Sequence, residues 1–251
     1  MKEALLNYIA LIGWNSKTTK EIFSLPELIE AFSLDGLQIA NGIFDPEKLK
    51  WMNSKYIAAT PADELFIILS DYLKQYNPDF YENTFIAHDE YFNRAIIMEV
   101  QKRCETLADF PALSECFYHE PEVDVNLLLS EKMGIATLGQ AKEALEFGLS
   151  VIAPLSSGVA QSAGGLIDPE NPPAFQASPL DRGAPTPLRD QLKDVMIPRI
   201  AEAGKKNGQI LWPLRVALTG KEFSPGAFEM VEILGIERAI SRIERVLQKL
   251  S

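Results

Sequence analysis

Few residues in this chain are equipped for catalysis or metal binding. Two histidines, His88 and His119, and two cysteines, Cys104 and Cys116, are the only candidates for nucleophilic or soft-metal chemistry. Cys116-x-x-His119 with Cys104 would supply three ligands, whereas a structural zinc site takes four in a recognisable spacing, so no metal site is expected. Cys104 continues the apolar stripe of Phe92, Ile96 and Val100, where a buried thiol acts as a small hydrophobe. Gly220-Lys221 looks like the end of a phosphate loop, but Glu222 replaces the Ser or Thr and Arg215 stands where the first Gly is needed. There is no G-x-S-x-G and no G-x-G-x-x-G, and no pair among the 35 carboxylates is singled out by position. The expectation is no catalytic residue and no cofactor within this chain.

Recognition chemistry is better represented. Leu211-Trp212-Pro213-Leu214-Arg215-Val216-Ala217-Leu218-Thr219-Gly220 is followed by Ser224-Pro225-Gly226-Ala227-Phe228-Glu229. This reads as a short helix opened by Pro213 and closed by Gly220, then a tight connection, then a helix capped by Ser224. Arg215 falls in the first turn of the short helix, near free backbone N–H groups at the start of the next one. A planar guanidinium beside exposed amides and an apolar wall can hold an unstacked base by hydrogen bonding and stacking. On the residues alone, an Arg that braces the helix junction is the plainer reading.

The elements that must position these groups are helices. Ser24-Leu25-Pro26-Glu27 has the spacing of a capping box, with Pro26 placed where its missing N–H does no harm. Asp45-Pro46-Glu47, Thr60-Pro61 and Ser224-Pro225 repeat a capping side chain followed by proline, and Gly13, Gly148, Gly220 and Gly235 mark stops. Between these signals Leu65, Ile68, Leu69 and Tyr72 form one helical stripe. Ile236, Ile240, Ile243, Leu247 and Leu250 form another. Period-two alternation is scarce, so the class is all-α, with any strands confined to the first 60 residues. Pro154 to Arg189 holds 7 of the 16 prolines and no amphipathic period, which predicts a Pro/Gly-rich loop over 154–189.

Composition bounds the rest. With 251 residues, 47% hydrophobic and 24% charged, the chain is an ordinary globular one, long enough for one large domain or two to three small ones. A net charge of −11 excludes a uniformly basic nucleic-acid binder but leaves room for a local patch. Residues 199–251 carry net +3, which leaves −14 to the remainder. Lys205, Lys206 and Lys221 cluster there as phosphate-contact candidates, an ordinary solvated face being the plainer reading of each. No apolar run approaches the ~18–20 residues of a membrane span. The N-terminus lacks a signal-peptide pattern and the two cysteines suit a reducing compartment, so a cytoplasmic location is expected. Nothing in the sequence argues for oligomers, and a monomer is expected.

At the 211–229 block the chain resembles the anticodon-binding end of bacterial-type glutamyl-tRNA synthetases (glutamate–tRNA ligases), which are class I aminoacyl-tRNA synthetases. Three more stretches agree in order. Ala4 to Trp14 (ALLNYIALIGW) resembles the helix soon after the family's lysine signature loop. Phe44 to Ile57 (FDPEKLKWMNSKYI) resembles the end of its stem-contact domain, and Arg103 to Pro111 (RCETLADFP) resembles a helix end in its first anticodon-binding domain. Together they span nearly the whole chain.

The resemblance implies a stem-contact remnant at 1–59, a first helical anticodon-binding domain at 60–124 and a second at 125–251. It implies tRNA-Glu as partner, bound by its anticodon arm. The Arg matched by Arg215 contacts anticodon bases in the family, assisted by the turn matched by Ser224 and Pro225. Ser224 keeps the hydroxyl of a common Thr, and Ala227 replaces a frequent Leu. The Arg matched by Arg103 reads the third anticodon base where tRNA-Glu is told from tRNA-Gln, and an i,i+4 ion pair with Glu99 is its plainer role. The family's nucleotide-binding fold, HIGH-type signature and lysine loop lie upstream of Met1, so ATP and Mg²⁺ would belong to a missing catalytic half. The chain then reads as a C-terminal part, inactive as a ligase by itself. A tRNA-binding or regulatory protein acting in trans, or a helical protein-interaction module, are the alternatives.

Overall fold

The computed structural model describes residues 1–38, 42–162 and 186–251, with 157–162 as backbone only. The described residues hold no β-strand, only the isolated antiparallel bridges Trp14–Leu37 and Ser130–Ile135, and the fold is all-α as expected. In order the helices are α1 (Lys2–Gly13), α2 (Leu25–Ala31), α3 (Pro46–Ala59), α4 (Ala62–Tyr76), the single turn α5 (Pro78–Phe80), α6 (Glu90–Val100) and α7 (Phe110–Tyr118). They continue as α8 (Leu138–Ser162), α9 (Leu188–Glu202), α10 (Asn207–Thr219), α11 (Ala227–Leu234) and α12 (Ile236–Lys249). Contacts gather into two compact units, Met1–Ser114 and Glu115–Ser251, with the division inside α7.

In the first unit α1 packs on α3 and α2. Asn7, 1% exposed, is tied in on all sides. Its amide donates to the Glu21 carbonyl at 2.9 Å, and its oxygen accepts from Phe23 N–H at 2.7 Å and Tyr56 O–H at 2.8 Å. That satisfies a polar group which burial would otherwise penalise. Ser24 and Glu27 form the expected capping box and Asp45 caps α3. Gly36 meets the Trp14 indole so closely that a Cβ there would lie 2.3 Å from Nε1. The α4 stripe is Leu65, Leu69 and Leu73, facing α6, whose Ile96 and Ile97 are fully buried.

Thr60 does not cap α4. Its hydroxyl donates to the Tyr56 carbonyl at 2.7 Å, closing α3, and Pro61 takes the N-cap position. The local i−4 carbonyl, which also accepts the Thr60 N–H at 3.1 Å, lies within reach of the hydroxyl at the helix end.

In the second unit α8 packs against α10 and α12, and α11 against α9 and α10. Two expectations fail on α8. Gly148 does not stop a helix; it lies inside one, where its missing side chain admits Leu214 of α10. Pro154 does not open a loop either, since α8 runs through it to Ser162, and α9 already begins at Leu188. An interior proline costs about 3 kcal/mol in isolation. Here Ala144, Leu145, Val151 and Ile152, each at most 2% exposed, hold the helix against its neighbours, and tertiary burial overrides local propensity. The remainder of the expected 154–189 loop, residues 163–185, lies outside the described residues, apart from Thr186 and Pro187 ahead of α9.

Candidate nucleic-acid interface

The predicted base-reading block is one helix longer than its sequence suggested. α10 starts at Asn207, not Pro213, so Arg215 sits in the third turn and the proline is interior. Ile210 and Val216 are fully buried and Leu214 nearly so, which keeps the helix continuous past Pro213. Gln209 accepts from the Lys206 N–H at 2.8 Å and closes the helix start.

Arg215 is half-buried and its guanidinium lies 4.6 Å from the Trp212 ring centroid, three residues earlier. The indole is itself fixed, donating its N–H to the Leu127 carbonyl at 3.0 Å. A guanidinium on a pinned aromatic loses less freedom on binding than a solvated one, and cation–π contact keeps its plane defined. Trp212 was missed by the sequence reading, although its i,i+3 spacing from Arg215 is a signal for it.

α10 ends at Gly220 in the left-handed region, φ 67°, a conformation that glycine adopts without strain. The connection to α11 is organised by one hydroxyl. Thr219 Oγ1 donates to the Arg215 carbonyl at 2.8 Å and lies 3.0 Å from Ser224 Oγ. It also accepts the Lys221 N–H at 3.3 Å. Ser224 therefore does not cap α11; Gly226 does, because the serine hydroxyl is turned inward to Thr219. Ser224 is 8% exposed, and Pro225 and Ala227 are also buried, so all three build the turn from within.

Of the clustered lysines, Lys221 pairs with Glu115 at 2.9 Å and Lys205 with Glu143 at 3.4 Å. Both glutamates are largely exposed, and such surface pairs are worth at most about 1 kcal/mol, so a phosphate can displace them. Lys206 is exposed and makes no ion pair among the described residues.

Arg103 belongs to the first unit. It ends the 3-10 turn Gln101–Arg103 that extends α6, is exposed, and lies 3.8 Å from Glu99 in the expected i,i+4 pair. Cys104 beside it is 3% exposed, and burial pushes its thiol up to about 12. Cys116 is likewise buried with its thiol raised by desolvation, which leaves both as packing groups.

A second buried polar node was not anticipated. Arg242 of α12, 2% exposed, donates from Nη1 to the carbonyls of Cys116 at 2.7 Å and Leu218 at 2.6 Å. Its Nη2 donates to the His119 carbonyl at 2.9 Å, and Nε lies 3.5 Å from the Glu120 carboxylate. The guanidinium thus serves the C-terminal carbonyls of α7 and α10 at once, where a cation also suits the helix dipoles.

The second unit is a set of packed helices with Arg215 braced on Trp212 and an ordered interhelical turn at the end of the same helix. Residues 185–247 match the family model described as an anticodon binding domain. Similarity extends over the whole chain, which aligns along its full length with part of glutamate–tRNA ligases. It is 34% identical over its full length to the glutamate–tRNA ligase of Clostridium botulinum (strain Eklund 17B / Type B), covering 44% of that protein. It is also 34% identical to that of Clostridium tetani, covering 43%. The chain thus spans less than half the length of these relatives. Among solved structures, a glutamate tRNA ligase from Elizabethkingia meningosepticum aligns with a TM-score of 0.66 at 24% identity, over 99% of this chain and 41% of that one, which bears on the fold. No described helix is long and apolar enough to cross a membrane.

Proposed function

We propose that this chain binds the anticodon arm of tRNA-Glu and supplies anticodon recognition to a glutamate–tRNA ligase. Ligation is assigned to the part of the relatives that these 251 residues do not match, and ATP and Mg²⁺ with it. Residues 1–59 act in this reading as a stem-contact segment, 60–124 and 125–251 as the two anticodon-binding parts. The protein works as a cytoplasmic monomer. The observation that carries the proposal is the Arg215 guanidinium held on the pinned Trp212 indole, within the span that matches the anticodon binding domain. Arg215 reads a splayed base, Arg103 contributes to discrimination of tRNA-Glu from tRNA-Gln, and Ser224, Pro225 and Ala227 shape the turn. Lys205, Lys206 and Lys221 contact phosphates and add the salt-dependent share of binding.

The test is binding of the chain to tRNA-Glu and to an anticodon-swapped transcript at two salt concentrations. Preference for the Glu anticodon should persist at the higher salt, because counterion release scales with phosphate contacts and not with base contacts. Arg215→Ala should cost about 1–3 kcal/mol and abolish that preference. Lys206→Ala should weaken both RNAs equally and flatten the salt slope. Equal affinity of parent and Arg215→Ala for the two transcripts would refute the reading.

A further inference from the structure

We propose that Phe223 is a stacking platform for an unpaired nucleobase of the bound RNA loop, a role that rests on the anticodon-arm reading above. Phe223 is 91% exposed, the highest value among the large hydrophobic residues described, and it stands on the connection between α10 and α11. Singly exposed apolar side chains are common, but among the described residues of the second unit the other large ones that are exposed, Leu138 and Val195, are each only 38% exposed. Slack chain does not account for this. Gly220 fixes the start of the connection in the left-handed region, and Pro225 is buried at its end. Thr219 Oγ1 fastens Lys221 on one side of Phe223 and Ser224 on the other. The ring is therefore displayed by an ordered turn.

Its neighbours select the occupant. The same Thr219 hydroxyl holds the Arg215 carbonyl at 2.8 Å, so the exposed ring and the base-reading arginine belong to one hydrogen-bonded assembly. Lys221, two residues before the ring, carries a cation whose pairing with exposed Glu115 is exchangeable for a phosphate. A π-face two residues from an exchangeable cation, on a turn tied to the helix that carries a guanidinium, brings together the kinds of group by which proteins hold single-stranded nucleotides.

Phe223→Ala, Phe223→Leu and Phe223→Trp in the full chain test this against tRNA-Glu and against a synthetic stem–loop carrying its anticodon. Stacking on an aromatic predicts roughly 5- to 100-fold weaker binding for Ala. It predicts a comparable loss for Leu, which keeps the apolar surface without the π-face, and parental or tighter binding for Trp. The loss should persist at high salt, and the thermal midpoint should not move, since the ring is almost wholly in solvent. Parental affinity in Phe223→Ala, with the parent still preferring the Glu anticodon, overturns this inference alone. Retention in Phe223→Leu overturns it in favour of a plain apolar contact. Failure of the parent chain to bind either RNA overturns the anticodon-arm reading and this one with it.

Discussion

Replacing Arg242 with methionine should be among the most damaging single changes in the second unit. The side chain is 2% exposed and donates to three carbonyls, at 2.6, 2.7 and 2.9 Å. The Cys116 and Leu218 carbonyls lie in the last turns of α7 and α10, where helical partners run out. Hydrogen bonds from a charged donor are worth about 1.5–3 kcal/mol each, but a simple sum overshoots. The His119 end is open to water and methionine recovers part of the apolar contact. Breaking a buried charged network by removing one partner costs about 3–5 kcal/mol, and that is the expected loss here. With a urea slope near ~1.5 kcal/mol/M, the midpoint should fall by about 2–3 M, followed through Trp212, the tryptophan of that unit. Arg242→Lys keeps the charge but lacks the planar fork, so it should recover only part. Glu120→Gln should cost less than about 1 kcal/mol, because that carboxylate is partly solvated. A midpoint within about 0.5 M of the parent for Arg242→Met would refute the view that this guanidinium holds the two helix ends.

Two further substitutions probe the same unit. Gly148→Ala adds a Cβ 2.5 Å from Leu214 Cδ2 and 2.9 Å from its Cγ, and Leu214 is 1% exposed with nowhere to yield. The helix-propensity gain of about 1 kcal/mol should be outweighed by overpacking of about 1–3 kcal/mol, and calorimetry should show a net loss; a stabilised variant would contradict the close approach. Glu232→Gln tests linkage: burial raises the Glu232 pKa above 4.5, against a smaller opposing effect from Arg189. The folded state therefore takes up this proton more readily, and stability falls as pH rises from about 4.5 through the folded pKa. The Gln variant should lose that slope and gain on the parent at neutral pH, an advantage that vanishes below about pH 4.5. A parent and variant with parallel stability–pH curves would show that the carboxyl is not desolvated.

The fold class was legible because helix signals are local: the Ser24–Glu27 capping box, the Asp45 cap and the Gly220 and Gly235 stops all stand where the residues place them. Errors arose where a distant surface decides. Gly148 and Pro154 are breakers by propensity, yet one admits Leu214 and the other is carried inside a packed helix. Pro213 misled in the same way, shifting the apparent start of α10 by six residues. Ser224 was read as a cap because its partner Thr219 lies upstream, not in the helix that follows. Arg215 was visible through its block and Trp212 only through its i,i+3 spacing from it, whereas Arg242 acquires meaning only from the carbonyls of Cys116, Leu218 and His119.

Those same contacts show how the proposed recognition surface rests on buried polar groups. An arginine that reads a base must keep a fixed direction, since a misaligned donor loses most of a hydrogen bond. α10 supplies that direction, and its C-terminal end is fastened twice: Arg242 holds the Leu218 carbonyl from inside, and Thr219 holds the Arg215 carbonyl and the following turn. Apolar packing alone would hold α10 against α8 but would leave its last carbonyls unpaired and its exit direction loosely set. On the proposed anticodon-arm reading, loosening either polar tie should therefore reach the RNA through geometry, not charge. Thr219→Val, which keeps the shape and deletes the hydroxyl, should leave the helix packed while lowering anticodon preference more than overall affinity. If preference and affinity instead fall by the same factor, Thr219 supports folding and does not orient the reader.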